Sequence, residues 1–442
     1  MLHAQITRFI SDERGGGTIM GLFWFMLLVG ICGLAVDSTN GFRSKTMLQA
    51  TADSMVLAAA IDLPNPAAVV ATAAAYAEVN MSSAGNGSIL DTSDVQIGKW
   101  NNNPYSLDTG SAFPDAVMVT VRQTEENSNP VPVNFLRIVG LMSWNVEAQA
   151  VAQRFIPGCI REGLVARGIV DISSNNDFVN QICVHGQQGV DMQNNNYYET
   201  GVIVSMPDPD NQLSIPAGGM TSNPGLPEAL RENILDPRMV NHIDEIMADL
   251  LTKELYVLPS YIDPNLPVIV VDEKFKFNTG GYTPNSIYHV QCSPNKQVSI
   301  SGDAVISDIV IIAQCNISVG AKAKLSNVVL GSTALGNGAK PLDNANINFS
   351  ANVELGAPDG CLPGGGVQLF SSATIHFSST MLINGVQMVA AGDVELGARD
   401  QGINGISVQT GHNITLTSNN AFGLCSGGVP DLFTVPYYRL VL

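Results

Sequence analysis

The sequence predicts a mainly β protein with an N-terminal transmembrane helix. A small α+β unit should follow, then a right-handed parallel β-solenoid (a β-helix) interrupted by a helical insertion. Three observations predict this. Residues 15–36 contain no charged side chain. Ala-rich helix-forming stretches are concentrated early, and from Ile89 onward Val, Ile, Thr, Asn, Ser and Gly dominate. Beyond Cys159, short V-x-I/L units ending in Gly, Asn or Ser recur at steps of 18–22 residues.

The 442 residues suit two or three domains. The expected organisation is a cytoplasmic N-terminus (1–14), a transmembrane helix (15–36) and a helical and α+β unit (37–156). The solenoid occupies 157–204 and 286–430, interrupted by a loop and helical insertion (205–285), and 431–442 form a C-terminal tail. A net charge of −18 and no basic patch exclude nucleic acid as a partner.

A helix over 15–36 rises about 33 Å, enough for a hydrocarbon core of about 30 Å. Gly33-Leu34-Ala35 would satisfy a signal-peptidase pattern. The uncharged run is nevertheless longer than a signal-peptide core, and the helical pattern continues beyond it, so the span reads as a retained anchor. Arg8 and Arg14 on one side balance Arg43 and Lys45 on the other, so positive charge does not set the orientation.

Cysteine does. Cys32 lies within the span, whereas Cys159, Cys183, Cys292, Cys315, Cys361 and Cys425 are an even set spread over the polar region. No CxxC and no Cys/His metal spacing occurs, so disulfides in an oxidising compartment outside the cytoplasm are the reading. Six cysteines allow 15 pairings; Cys159–Cys183 and Cys292–Cys315 are the pairs close in sequence.

Asp12, Glu13, Arg14 and Gly15, then Leu34-Ala35-Val36-Asp37, a basic pair, Leu48-Gln49-Ala50, Ala52-Asp53 and the alanines 58–60 form one constellation. It resembles the Tad (tight adherence, Flp-type) pilus-assembly proteins of the TadE/TadG-like group. The close likeness covers about the first 60 residues and a looser one extends to about Gln153. The resemblance implies a pseudopilin-like, non-enzymatic component of a Tad pilus or secretion machine. It implies a single-pass protein of the bacterial inner membrane, with its C-terminal region in the periplasm or at the cell surface. Its partners would be the membrane, other Tad pseudopilin-like proteins and the pilus machinery, without a cofactor. Type IV pilins carry Glu five residues after the cleaved Gly. None of the three glycines 15–17 has one, so prepilin-peptidase processing is not expected.

Residues 37–61 have helical spacing, with Met47, Leu48, Thr51, Met55, Val56 and Ala59 near one face. Pro64 and Pro66 end this helix and 67–79 make a second. Their alanines, like Gly21, Gly30 and Gly33 in the span, suit close helix packing, either within the chain or against related subunits. Over 89–153 the alternations Val95/Ile97, Val117/Val119/Val121 and Val146/Ala148/Ala150 read as strands. Between the last two, 132–142 has helical spacing at Phe135, Leu136 and Val139, and this passage also resembles the family.

VDISSNN at 170–176 is echoed by VDMQNNN at 190–196, and VELGA occurs at 353–357 and 394–398. With VSISG (298), ISVGA (317), TIHFS (374) and ITLTS (414) they fit stacked rungs, aliphatics inward and Gly or Asn at the corners. Val170/Val190 and Val353/Val394 are expected to occupy equivalent rung positions. The rival is an antiparallel sandwich, because hairpin signals occur at Asn384-Gly385 and Asp359-Gly360. In the insertion, 228–235 and 239–255 have helical spacing. The stripe Ile243, Ile246, Met247, Leu250, Leu251 is expected to pack over the side or end of the solenoid.

No catalytic, cofactor or metal site is argued. Asp171-Ile-Ser173-Ser-Asn175 approaches a D-x-S-x-S metal motif, but sits in the repeat and reads as a corner. Asp171 and Asp191 would stack one rung apart, an arrangement that also suits Ca²⁺, with surface polarity the simpler reading. The six histidines (His3, His185, His242, His289, His376, His412) are scattered and read as surface or corner residues. The alternative function is a membrane-tethered surface β-helix that binds or cleaves glycans. Outward aromatics with Asp and Lys/Arg would favour it, and a plain polar face would favour a scaffold.

Overall fold

The computed structural model describes residues 16–293, 295–333, 346–359, 361–397, 402–425 and 428–442. Asp12, Glu13, Arg14 and Gly15 of the family constellation, with His3, Arg8, Gly360 and Ala398, lie outside the described residues. The chain forms two units: residues 1–155 with 436–442, and residues 156–435.

In the first unit, helix α1 (Gly16–Ala59) runs unbroken from the apolar stretch into the Ala-rich one. Its first half exposes large apolar side chains on all sides, including Phe23, Trp24, Phe25 and Ile31. In its second half Leu48, Ala52, Met55, Val56 and Ala59 are fully buried. Helix α2 (Pro66–Asn80) starts with the Asn65 side chain accepting the Ala68 amide, with Pro66 at its first position. Both helices cover an antiparallel sheet in the order 105–108, 95–102, 116–123, 146–155, 437–440. Val117, Val119, Val121, Ala148 and Ala150 point into that core.

Two expectations fail here. The helical spacing over 132–142 yields only a 3₁₀ turn, Leu136–Val139. The C-terminal stretch is no tail: Tyr437–Leu440 is a strand that pairs with 146–155. It covers residues 152–155 of that strand and is itself the edge of the sheet.

The second unit is large, mainly β, and built from parallel sheets. One sheet contains ten strands in the spatial order 213–214, 189–192, 169–172, 414–416, 394–396, 375–377, 347–349, 316–319, 297–300, 276–277. Every adjacent pair is parallel. A 15-stranded sheet runs beside it with the same progression. Inward residues stack between them: Val170, Ile414, Val394, Ile375, Ile347, Ile317 and Val298 form one column, fully buried. Phe178 lies between Tyr198 and Phe422, with ring centroids 5.0 and 5.1 Å apart and planes within 7°.

The strand order is not the chain order. The chain enters at Gly163, at an interior position in the sheets, and runs outward to Glu232. It resumes at the opposite end with Ile269 and works back until 406–416 dock on 163–172. The return path is the central part of the predicted insertion. Its helix α3 (Ile243–Thr252) and the preceding 3₁₀ turn lay Met239, Ile243, Ile246, Met247 and Leu250 against Ile287, Val310, Ile312, Val329, Phe370 and Val389. Strands covered on both faces read as continuous apolar runs, which explains Ile309–Ala313.

The insertion is therefore shorter than 205–285. Leu213–Ser214, Leu230–Glu232, Ile269–Asp272 and Lys276–Phe277 are strands of the sheets, and 230–232 are extended where a helix was expected. Val170 and Val190 are register partners, as their repeat requires. Val353 and Val394 are not equivalent. Val353 lies in the 15-stranded sheet opposite Met381, and Val394 in the ten-stranded sheet between Ile375 and Ile414. In–out–in alternation followed by Gly satisfies both positions. Yet Gly356 takes a φ of 83°, with the Asn384 carbonyl closing off any Cβ, and Gly397 does not take a positive φ.

The corners are built from asparagine. Asn175, Asn195 and Asn419 take φ of 64–67°, the left-handed region that Asn tolerates. The residue after each turns its side chain inward. The Oδ1 of Asn196 accepts the Asn176 amide at 2.9 Å, and that of Asn176 accepts the Asn420 amide at 3.0 Å. Their Nδ2 groups donate to the Ser173, Gln193 and Thr417 carbonyls.

The structure pairs Cys159–Cys183, Cys292–Cys315 and Cys361–Cys425, with Cα separations of 5.1, 5.9 and 5.5 Å. Cys32 is free. Thiol labelling of denatured, unreduced protein is expected to modify Cys32 alone; modification of all seven cysteines would reject the pairings.

Candidate functional site: the apolar helix and its carboxylate clamp

The apolar half of α1 ends at a buried carboxylate. Asp37 is 1 % exposed. Its Oδ1 accepts the Asn134 amide at 2.8 Å, and its Oδ2 accepts those of Phe135 and Leu136 at 2.9 and 2.7 Å. These amides open the 3₁₀ turn, where no backbone acceptor is available to them. Burial alone would raise the Asp37 carboxyl; the three amides and Arg137 outweigh it and hold the group below the usual carboxylate value. One turn earlier, a Cβ on Gly33 would fall 2.6 Å from the Phe135 Cβ. Gly33 thus packs against the chain's own turn, while Gly21 and Gly30 meet nothing within 4 Å.

The other family residues on α1 also do structural work. Gln49 donates to Asp53 Oδ1 at 2.9 Å and to the Gln149 carbonyl at 3.0 Å, tying helix to sheet. Ala52 is fully buried, where a larger side chain would push the helix off the sheet. No local sequence pattern signals the clamp, because Asp37 and its partners lie 97 to 99 residues apart. Asp37→Ala is expected to free the 134–142 turn, read as faster amide exchange at Phe135 and Leu136 with the α1–sheet core retained. Unchanged exchange there would refute the clamp.

In the second unit Asp171 and Asp191 face each other across adjacent strands, flanked by Thr415 and Ser214. Burial and the facing Asp191 raise the Asp171 carboxyl. Ser173 and Asn175 form the corner described above. Among the described residues no group of three or more His, Cys, Asp or Glu side chains comes together as a metal site.

His185 corrects the expectation of surface histidines. It is fully buried, its Nδ1 2.9 Å from Ser205 Oγ and its Nε2 3.1 Å from Gln187 Oε1. Burial pushes its pKa below 6.5, and His289 shifts the same way for the same reason. Both therefore bind a proton less readily when folded, and the unfolded chain binds more protons below about pH 6.5. Stability should be full above that pH and fall as the medium is acidified toward the folded pKa. Urea unfolding at pH 7.5 and 5.5 should show the loss, and His185→Gln should reduce it; an equal loss in the variant would reject the assignment.

Comparison with known families agrees with the N-terminal geometry. Residues 15–62 match the family described as putative Flp pilus-assembly TadE/G-like, and residues 50–152 that described as putative Tad-like Flp pilus-assembly. Residues 163–426, more than half of the chain, match the family described as domain of unknown function (DUF7867). The chain belongs to the DUF7867 family, and its N-terminal region fits a Tad-like family. The TadE/G-like match begins at the apolar stretch, and the Tad-like match ends within strand 146–155, the strand onto which Gln49 is tied. Among solved structures, the competence-associated pilin ComZ from Thermus thermophilus is similar to this chain. The identity is 11 % and the TM-score 0.31, over 79 % of this chain and 87 % of that one. No curated protein matches the sequence.

Proposed function

We propose that this chain is a membrane-anchored, non-enzymatic component of a Tad-type pilus assembly or secretion machine. Residues 15–36 cross the bacterial inner membrane once. The α+β unit acts as a pseudopilin-like scaffold, and residues 156–435 form an extracytoplasmic right-handed β-solenoid. One observation carries the reading: α1 is apolar on every side over its first half, then continues without a break into a half that packs on its own sheet. It is the one helix among the described residues long and apolar enough to cross a membrane. Parallel pairing of strands one repeat apart supports the solenoid, and three disulfides support a non-cytoplasmic location.

The outward register of the ten-stranded sheet is Ser214, Asp191, Asp171, Thr415, Glu395, His376, Asn348, Ser318, Ser299 and Lys276. It holds no aromatic platform for a sugar ring, which favours a scaffold over glycan binding or cleavage. The test is photo-crosslinking from Met47, an exposed α1 residue, in intact cells. Capture of other Tad pseudopilin-like subunits is expected. Capture of nothing but lipid would overturn the scaffold role.

A further inference from the structure

The same unit carries a second apolar surface. The turn over 134–142 leaves Ile138 80 %, Met142 62 % and Phe135 46 % exposed. Single apolar residues on a surface need no explanation, but these three are clustered on nine residues. We infer that this turn is a wedge in the lipid boundary of the same bilayer that α1 crosses, an inference that rests on the anchor reading of residues 15–36.

Depth is the argument. Phe135 packs on Gly33, three residues inside the end of the span, or about 4.5 Å along the helix. Asp37, one residue beyond the end of the span, holds the first three amides of the turn. Tilting α1 cannot lift the turn away, because clamp and contact move with the helix. Its apolar side chains therefore meet the acyl boundary, where an interfacial element buries its apolar face about 5–10 Å deep. Arg137 in the turn is exposed, placed to reach headgroup phosphates with its stem along the apolar surface. The clamp thus has a function beyond stability: it fixes how close the scaffold sits to the bilayer.

The test uses the full chain carrying Cys32→Ser, whose remaining cysteines are paired. Single cysteines replace Ile138, Leu27 in mid-span, or Ser106 in the 105–108 strand, and each is labelled with an environment-sensitive fluorophore. The proteins are reconstituted in phosphatidylcholine–phosphatidylglycerol vesicles with or without nitroxide-labelled lipid. The expected result is loss of fluorescence at positions 27 and 138 and none at 106. Loss at 27 without loss at 138 overturns the wedge and leaves the anchor standing. No loss at 27 overturns the anchor, and the wedge with it. A label at 138 shielded from both lipid nitroxide and aqueous iodide would mean a protein contact, and loss at 106 would mean the whole unit lies on lipid. Either outcome also overturns the wedge.

Discussion

Leu396→Asp is expected to cost about 4 kcal/mol or more, enough to unfold the second unit's sheets. Two terms add. Leu396 is fully buried in the inward column and pairs with Leu416 on the next strand. Removing a packed leucine costs about 2–5 kcal/mol, and the carboxylate then lies unpaired in an apolar stack, a further penalty unless it binds a proton. Each strand is buried by its neighbours, so a fault spreads along the stack. Glu395, one residue earlier, points outward and faces His376 at 3.5 Å, with both side chains well exposed. Glu395→Ala should change stability by less than about 0.5 kcal/mol. Thermal melts of the two variants decide the matter, and equal effects would mean the inward–outward register is wrong.

Asn176→Ala is the second large effect, at about 3 kcal/mol. The side chain is fully buried and its Oδ1 accepts from the Asn420 amide and from Asn420 Nδ2, while its Nδ2 donates to the Ser173 carbonyl. Alanine removes all three bonds and leaves a buried amide and a buried carbonyl short of partners, at about 1–3 kcal/mol each. The site has a second significance. Asn176 and Asn420 are 244 residues apart, at the seam where the last strands dock on the first. Loss of the bond should therefore loosen the seam before the rest. Amide exchange should rise first along 163–172 and 406–416, whereas Asn196→Ala should leave that seam protected. Uniform exchange across both sheets in Asn176→Ala would refute a local role.

The legible parts of the fold were those encoded by local pattern. The uncharged run marks the first half of α1, and the spacing of Leu48, Ala52, Met55 and Val56 marks the second. The alternation at Val117, Val119 and Val121 is a strand because period two is what a pleated sheet imposes. Repeat copies with the same corner residues, 170–176 and 190–196, stack because identical turns present identical surfaces. The two VELGA copies misled for the same reason: the pentapeptide fits any straight side that ends in a corner. Extra residues between 355 and 367 shift the phase between the copies. At 132–142 the helical spacing yields one turn, because Asp37 caps its first amides and Gly140, at a φ of 89°, ends it.

The sequence by itself determined the apolar span, the Ala-rich helix beyond it, and the in–out pattern of the strands. Each is a relation among residues a few positions apart, set by backbone geometry. Only the tertiary structure decided which strand neighbours which, that the chain enters its own sheets at an interior position, and that 437–440 add the last strand to the first unit's sheet. It also decided which cysteines pair, and that Asp37 holds a turn almost a hundred residues away. Parallel strands present similar edges on both sides, so periodicity gives their spacing and leaves their order open. The order depends on where an apolar return helix finds an apolar face to cover, and that face exists only once the strands are stacked.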